Sequence, residues 1–365
     1  MVIIPALPNI AAVFFVAKSL KCGYKTGNRR IPCCRDRPPG RSFSRDPQQY
    51  MDMVRHDDIL VHLYKGEFLI RQSSEMWVIP ISTHFQNLHL MLTLEAAPHA
   101  LATVAIPYTE AMCRYGVYLN TKLEKNGAEY AKTQHLLPCV ICKEEKADCL
   151  AKLTEDQGYI YASGKRFAYV FSKHDGAFTS IVIDGKEQLA GKIEITAFRA
   201  PTDNDRHMKM AWAYINNWES ENLNVTFNKV YCCEIRDGII VVDGSLAAVS
   251  RMPLMKHTLT FAIYNDGRID FSLDGNIRKN ANWLPRLGFE WSLPASSSAF
   301  TYFGHGPIES YCDMHHAAPM GLYESTAEKE YVPYVRPQDH GNHTKVQELT
   351  IGNLTFRGKD TFECC

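Results

Sequence analysis

The chain has 365 residues, 45% of them apolar and 22% charged, a globular composition that excludes wholesale disorder, collagen and coiled-coil rods. Forty basic residues balance forty acidic ones. A net charge of zero argues against a nucleic-acid binder, whose domain carries a basic excess, and the length suits two or three domains. Twelve cysteines are too sparse for a disulfide scaffold. The adjacent pairs Cys33-Cys34, Cys232-Cys233 and Cys364-Cys365 read as thiols in a reducing, cytoplasmic compartment.

In chain order, residues 2–17 (VIIPALPNIAAVFFVA) come first. The run falls short of the about 20 residues of a membrane span, and Pro5, Pro8 and Asn9 break it. Its positive charge follows the apolar run, whereas a secretory signal begins with it, so no membrane association is expected. Residues 18–45 are basic and rich in Gly and Pro with little to bury, which makes 1–57 an expected disordered or non-homologous leader. Short apolar runs at 59–64, 67–70, 88–94, 102–106 and 116–123 then predict the strands of a small β-sandwich over 58–150. From 157 onward the runs FAYVFS (167–172) and FTSIVI (178–183) open a second, larger antiparallel β domain extending to 365. Asp-Gly between alternating apolar runs marks a hairpin. It recurs at Asp184-Gly185, Asp237-Gly238, Asp243-Gly244, Asp266-Gly267 and Asp274-Gly275. Residues 208–218 (MKMAWAYINNW) are the main helix candidate.

For chemistry, Glu309 and Asp313 in GHGPIESYCD are the best local carboxyl pair. Glycoside hydrolysis needs two carboxyl groups about 5 to 9.5 Å apart. The competing reading is that the pair binds backbone amides or cations in a Gly-Pro turn. Cys139, Cys142 and Cys149 resemble half a zinc site without a second half. His340 with His343, and His315 with His316, read as polar loop residues, so no metal is expected. Trp212, Trp218, Trp283, Trp291, Tyr302, Tyr331 and Tyr334 are core or sugar-stacking aromatics.

Three stretches make the chain recognisable. FRAPTDND (198–205), FGHGPIESYCD (303–313) and YVPYVRPQDHGN (331–342) resemble, in order, signatures of the last large β domain of the β-galactosidases of glycoside hydrolase family 2. AAPHALATVAIPY (96–108) resembles the end of the Ig-like domain that precedes it. The resemblance implies a mainly β chain. An Ig-like β-sandwich over 58–150 would precede a galactose-mutarotase-like antiparallel β-supersandwich over 157–365, incomplete at its C-terminus because 355–365 resembles mid-domain sequence. It implies a substrate-proximal loop of Arg199, Pro201, Asp203, Asn204 and Asp205. Gly304, Gly306, Pro307, Glu309, Tyr311, Asp313, Tyr334, Pro337, Gln338 and Gly341 are the signature residues. In the family the catalytic glutamates, and most ligands of its Mg and Na, lie in an upstream barrel. No catalytic residue and no cofactor are therefore expected in this chain, whose partners would be a barrel-bearing portion and galactosides. The chain would be a piece of a β-galactosidase, inactive alone. The alternatives are the small subunit of a split enzyme and a non-catalytic carbohydrate-binding module. Met314 and His343 stand where the family usually has Arg, and Arg206 to Lys209 replace a glycine-containing mobile segment.

Overall fold

Alternation of apolar and polar side chains is realised as strand after strand. The computed structural model describes residues 112–365 apart from 126–127, 142–148, 208–220 and 280–283. N-terminal to residue 112 it describes five strands, Ile10–Val16, Val54–Arg55, Asp58–Ile59, Leu69–Val78 and Gln86–Glu95. The expected strand at 102–106, most of that at 59–64, and the helix at 208–218 lie outside the described residues.

Two compact units divide the chain, residues 24–144 and residues 1–23 with 145–365. In the first, Gln86–Glu95, Leu69–Val78, Val117–Lys125 and Ala128–Leu137 form a four-stranded antiparallel sheet in that spatial order. A short parallel bridge joins Met112–Cys113 to Val140–Ile141.

The second unit is built from antiparallel sheets around one core. A five-stranded meander runs Leu153–Glu155, Tyr159–Ser163, Phe167–Ser172, Ala177–Ile183 and Lys186–Glu187. A four-stranded meander runs Thr226–Arg236, Ile239–Ala248, Met255–Ile263 and Ile269–Ile277. In Met255–Ile263 every second residue is buried, the period of a strand with one face on a core. Gly288–Pro294 pairs on one side with Glu194–Thr196 and on the other with Ile10–Val16, a segment of the expected leader. The last sheet has the order Met320–Thr326, Ala299–His305, His343–Ile351, Leu354–Cys364. Phe171, Phe178 and Phe261 meet edge-on or tilted at 5.0 to 5.5 Å, and Trp291 meets Phe356 at 4.9 Å. All four sheets contribute side chains to this core, the arrangement of a β-sandwich.

Three of the five Asp-Gly signals are hairpin turns. Asp184 and Gly185, and Asp237 and Gly238, take positive φ at both positions, the left-handed pair that a two-residue turn demands. Asp266-Gly267 joins Met255–Ile263 to Ile269–Ile277, with Gly267 at φ 92°. The other two are corrections. Asp243-Gly244 and Asp274-Gly275 lie inside strands and face Thr258 and His257 of the strand between them. Packing is the reason for glycine there. A Cβ on Gly244 would sit 2.8 Å from the Lys229 carbonyl oxygen, and one on Gly275 would sit 2.5 Å from Met255 Sδ.

Candidate functional site

The segment 197–207 leaves strand Glu194–Thr196 and ends in the one-turn helix Asp203–His207. Thr202 and Asp205 form a capping box, in which each side chain serves the other's backbone amide. Thr202 N–H donates to Asp205 Oδ2 at 2.8 Å, and Asp205 N–H donates to Thr202 Oγ1 at 3.4 Å. Arg199 adds a forked pair to the same carboxylate at 2.5 and 3.4 Å. Burial by itself would raise the Asp205 pKa, but the Arg199 and Thr202 hydrogen bonds outweigh it and hold the carboxyl below its ordinary value.

Two further segments meet this one. Residues 306–319 join strand Ala299–His305 to Met320–Thr326, beginning with a cis Gly306-Pro307 bond. Residues 327–342 start at the other end of Met320–Thr326 and return to His343, so they run back along the sheet. The Asn204 amide donates to Asp313 Oδ2 at 2.5 Å, and Asp203 N–H donates to Gln338 Oε1 at 2.6 Å. Tyr334 hydroxyl donates to Glu309 Oε1, and Gly341 N–H donates to Glu309 Oε2 at 2.8 Å. Burial and the Glu309 carboxylate push the Tyr334 hydroxyl up to about 12. Tyr311 hydroxyl donates to Asp339 Oδ2 at 2.9 Å, and Arg286 reaches the same oxygen at 3.2 Å.

Among the residues expected from the motifs, Arg199, Asp203, Asn204, Asp205, Glu309, Tyr311, Asp313, Tyr334, Gln338 and Gly341 thus each take part in hydrogen bonds within or between these three segments. The remainder shape the backbone. Gly304 and Gly306 have no room for a Cβ, which would meet Val346 at 2.9 Å and the Tyr302 hydroxyl at 2.3 Å respectively. Gly341 takes φ 72° beneath the Glu330 carbonyl. Pro201 precedes the cap, and Pro307 and Pro337 are exposed. Glu309 and Asp313 have separate partners, a Tyr hydroxyl with a backbone amide for one and Asn204 for the other. Both oxygens of Glu309 are occupied as acceptors, so it brackets two loops together.

Tyr331 is 64% exposed beside this cluster, edge-on to His340 at 5.3 Å, whereas Trp291 and Tyr302 are core. Trp212, Trp218, Trp283 and Cys142 lie outside the described residues. Among the described residues no cluster of three His, Cys, Asp or Glu could hold a metal. His343 faces Glu330 at 2.9 Å, and the His315 ring stacks between those of His305 and His316.

Sequence reasoning missed Arg286 and Glu330. Arg286 is a buried cation 53 residues before its partner Asp339, and no local pattern announces it. The capping box had a sequence signal, Thr-x-x-Asp ahead of a helix start.

The arrangement presents Asp203, Asn204, Asp313 and Tyr331 outward on a cross-braced base. Such a surface can hydrogen-bond hydroxyls and stack on a flat apolar face.

Comparison with known proteins adds a relationship to this geometry. A family model described as the β-galactosidase small chain matches residues 163–363. A β-galactosidase of Actinobacillus pleuropneumoniae is 29% identical over 222 residues, covering 58% of this chain and 21% of that protein. One from Priestia megaterium is 28% identical over 331 residues, covering 86% of this chain and 30% of that protein. One from Kluyveromyces lactis is 30% identical over 252 residues, covering 64% and 23%. The chain thus spans between a fifth and a third of the length of these relatives.

Proposed function

This chain belongs to the β-galactosidase small chain family, and from that premise we propose that it supplies the terminal β-sandwich portion of a glycoside hydrolase family 2 β-galactosidase. In this reading the galactoside site is shared. The catalytic portion brings the two carboxyl groups that donate the proton and attack the anomeric carbon. This chain brings the edge formed by Asp203, Asn204, Asp313 and Tyr331, and Arg199, Asp205 and Glu309 hold that edge in place. In this reading the metal ions of the assembled enzyme sit on the catalytic portion. The reading places the chain in the cytoplasm, a reducing compartment in which adjacent thiols such as Cys232-Cys233 stay free. No described helix is long and apolar enough to cross a membrane.

The observation that carries the reading is the convergence of three distant segments. Asp203 and Gln338 are 135 residues apart, Asn204 and Asp313 are 109 apart, and both pairs are joined by side-chain hydrogen bonds. Ile308, Met314, Tyr331 and Val335 are exposed apolar side chains on those same segments, and they supply an apolar rim for the catalytic portion.

The test is complementation. The chain alone is expected to give no turnover of a chromogenic β-galactoside. Mixing it with the separately expressed catalytic portion of a relative is expected to restore turnover that neither part shows alone. Turnover by the chain alone, lost in Glu309→Gln, would overturn the reading, as would a catalytic portion whose rate the chain leaves unchanged.

A further inference from the structure

Segment 327–342 carries Tyr331, Tyr334 and Gln338 to the candidate site, and its two ends meet at a buried polar chain. His343 is 1% exposed. Its Nε2 lies 2.9 Å from Glu330 Oε2, and the other Glu330 oxygen accepts from the Ser325 hydroxyl. His343 Nδ1 lies 3.1 Å from the His305 carbonyl oxygen and 3.0 Å from the hydroxyl of Tyr302, itself 1% exposed. The titratable neighbours are few. His340 Nδ1 meets the Glu330 carbonyl, the His305 ring bonds Thr344, Tyr323 packs on Tyr302, and Cys364 pairs with His343 across the ladder. Burial keeps the Cys364 thiol protonated. Burial alone would raise the Glu330 pKa, yet the hydrogen bonds from His343 and Ser325 outweigh it and hold the carboxyl below its ordinary value.

The donor and acceptor inventory restricts where the protons sit. An ionised carboxylate only accepts, so His343 Nε2 carries a hydrogen. His343 Nδ1 then has two satisfied states. With a hydrogen it donates to the His305 carbonyl. Without one it accepts from Tyr302, whose hydroxyl hydrogen is a rotor and whose own ionisation burial suppresses. The Nε2–H to Glu330 bond is the same in both.

Building on the reading of these segments as the galactoside-facing edge, we propose that Tyr302, His343 and Glu330 form a clamp that positions segment 331–342, with the Tyr302 hydroxyl satisfying Nδ1 of a neutral His343. Without the Tyr302 hydroxyl, a neutral His343 would turn a bare Nδ1 toward the His305 carbonyl oxygen, and the clamp would loosen. All three are positioning residues.

Hydrogen exchange on the full chain tests this without any sugar. The reporters are the amides of Gly341 and Asp203, which donate to Glu309 and Gln338. The reference is the amides of strands Phe167–Ser172 and Ala177–Ile183. After correction for intrinsic rates, reporter protection in each variant is compared with that of the unmodified chain at a single neutral pH. Glu330→Gln is expected to raise reporter opening about tenfold, with the reference unchanged. Tyr302→Phe is expected to raise reporter opening about tenfold as well, with the reference unchanged. Reporters unmoved by Tyr302→Phe, or by Glu330→Gln, would overturn the proposal. If either variant unfolds, nitrogen NMR of the unmodified chain decides: Nε2 of His343 must carry a hydrogen, and the neutral Nδ1–H tautomer overturns the clamp. Neither measurement depends on galactoside binding, so a failure of the β-galactosidase reading remains separately visible.

Discussion

Asp205 has 5% of its side chain exposed, and it stays charged because Arg199 and two Thr202 groups reach it. Removing one partner of such a buried pair leaves the other uncompensated, so Asp205→Ala should cost about 3 kcal/mol, read as a lower urea midpoint at unchanged slope. The pH sense follows from its lowered pKa. The stabilisation is fully present above the ordinary carboxylate value and is lost as pH falls through the folded one. His257 behaves differently. It is 5% exposed, its Nε2 bonds Asn228 at 2.7 Å, and its Nδ1 has no hydrogen-bond partner among the described residues. Burial lowers its pKa from 6.5 to about 4. The unfolded chain binds that proton more readily, so stability falls as pH drops from 6.5 toward 4, by at most about 1.4 kcal/mol per pH unit. A urea titration series should show His257→Gln with a shallower slope in that window; an unchanged slope would assign the dependence to other groups.

At the scale of the element, the glycines divide by what a methyl group would meet. Gly185 has φ 76° and open space around it, so Gly185→Ala should cost about 1 kcal/mol in backbone strain alone. Gly244 has an ordinary strand backbone but a carbonyl oxygen 2.8 Å from where a Cβ would stand. A neighbouring strand cannot step aside as a flexible side chain can, so Gly244→Ala should cost about 2 kcal/mol or more. Chemical denaturation of the two variants side by side checks the order. The strand at 167–172 was legible to the residue, because period-two burial is a local pattern. Which Asp-Gly pair turns and which runs on was not legible. Both kinds sit between alternating apolar runs, and only the neighbouring strand distinguishes a left-handed turn from a close approach.

For the whole molecule, the apolar rim on the site segments is the feature that association with a catalytic portion would bury. Val335 is fully exposed at 105%, so Val335→Asp should leave the melting temperature of the chain unchanged. It should weaken complementation about tenfold or more, as loss of a buried interface anchor does; titration calorimetry against the catalytic portion measures it. The amino-acid sequence by itself determined the β character of the chain and the motif stretches 198–205, 303–313 and 331–342, since each depends on neighbours within a few residues. Tertiary structure alone decided the partners. Asp313 takes Asn204, Gln338 takes the Asp203 amide, Asp339 takes Arg286, and Glu330 takes His343. A carboxylate or amide can satisfy itself with many donors, and the choice among them is made only when the sheet brings loops from distant parts of the chain within hydrogen-bonding distance.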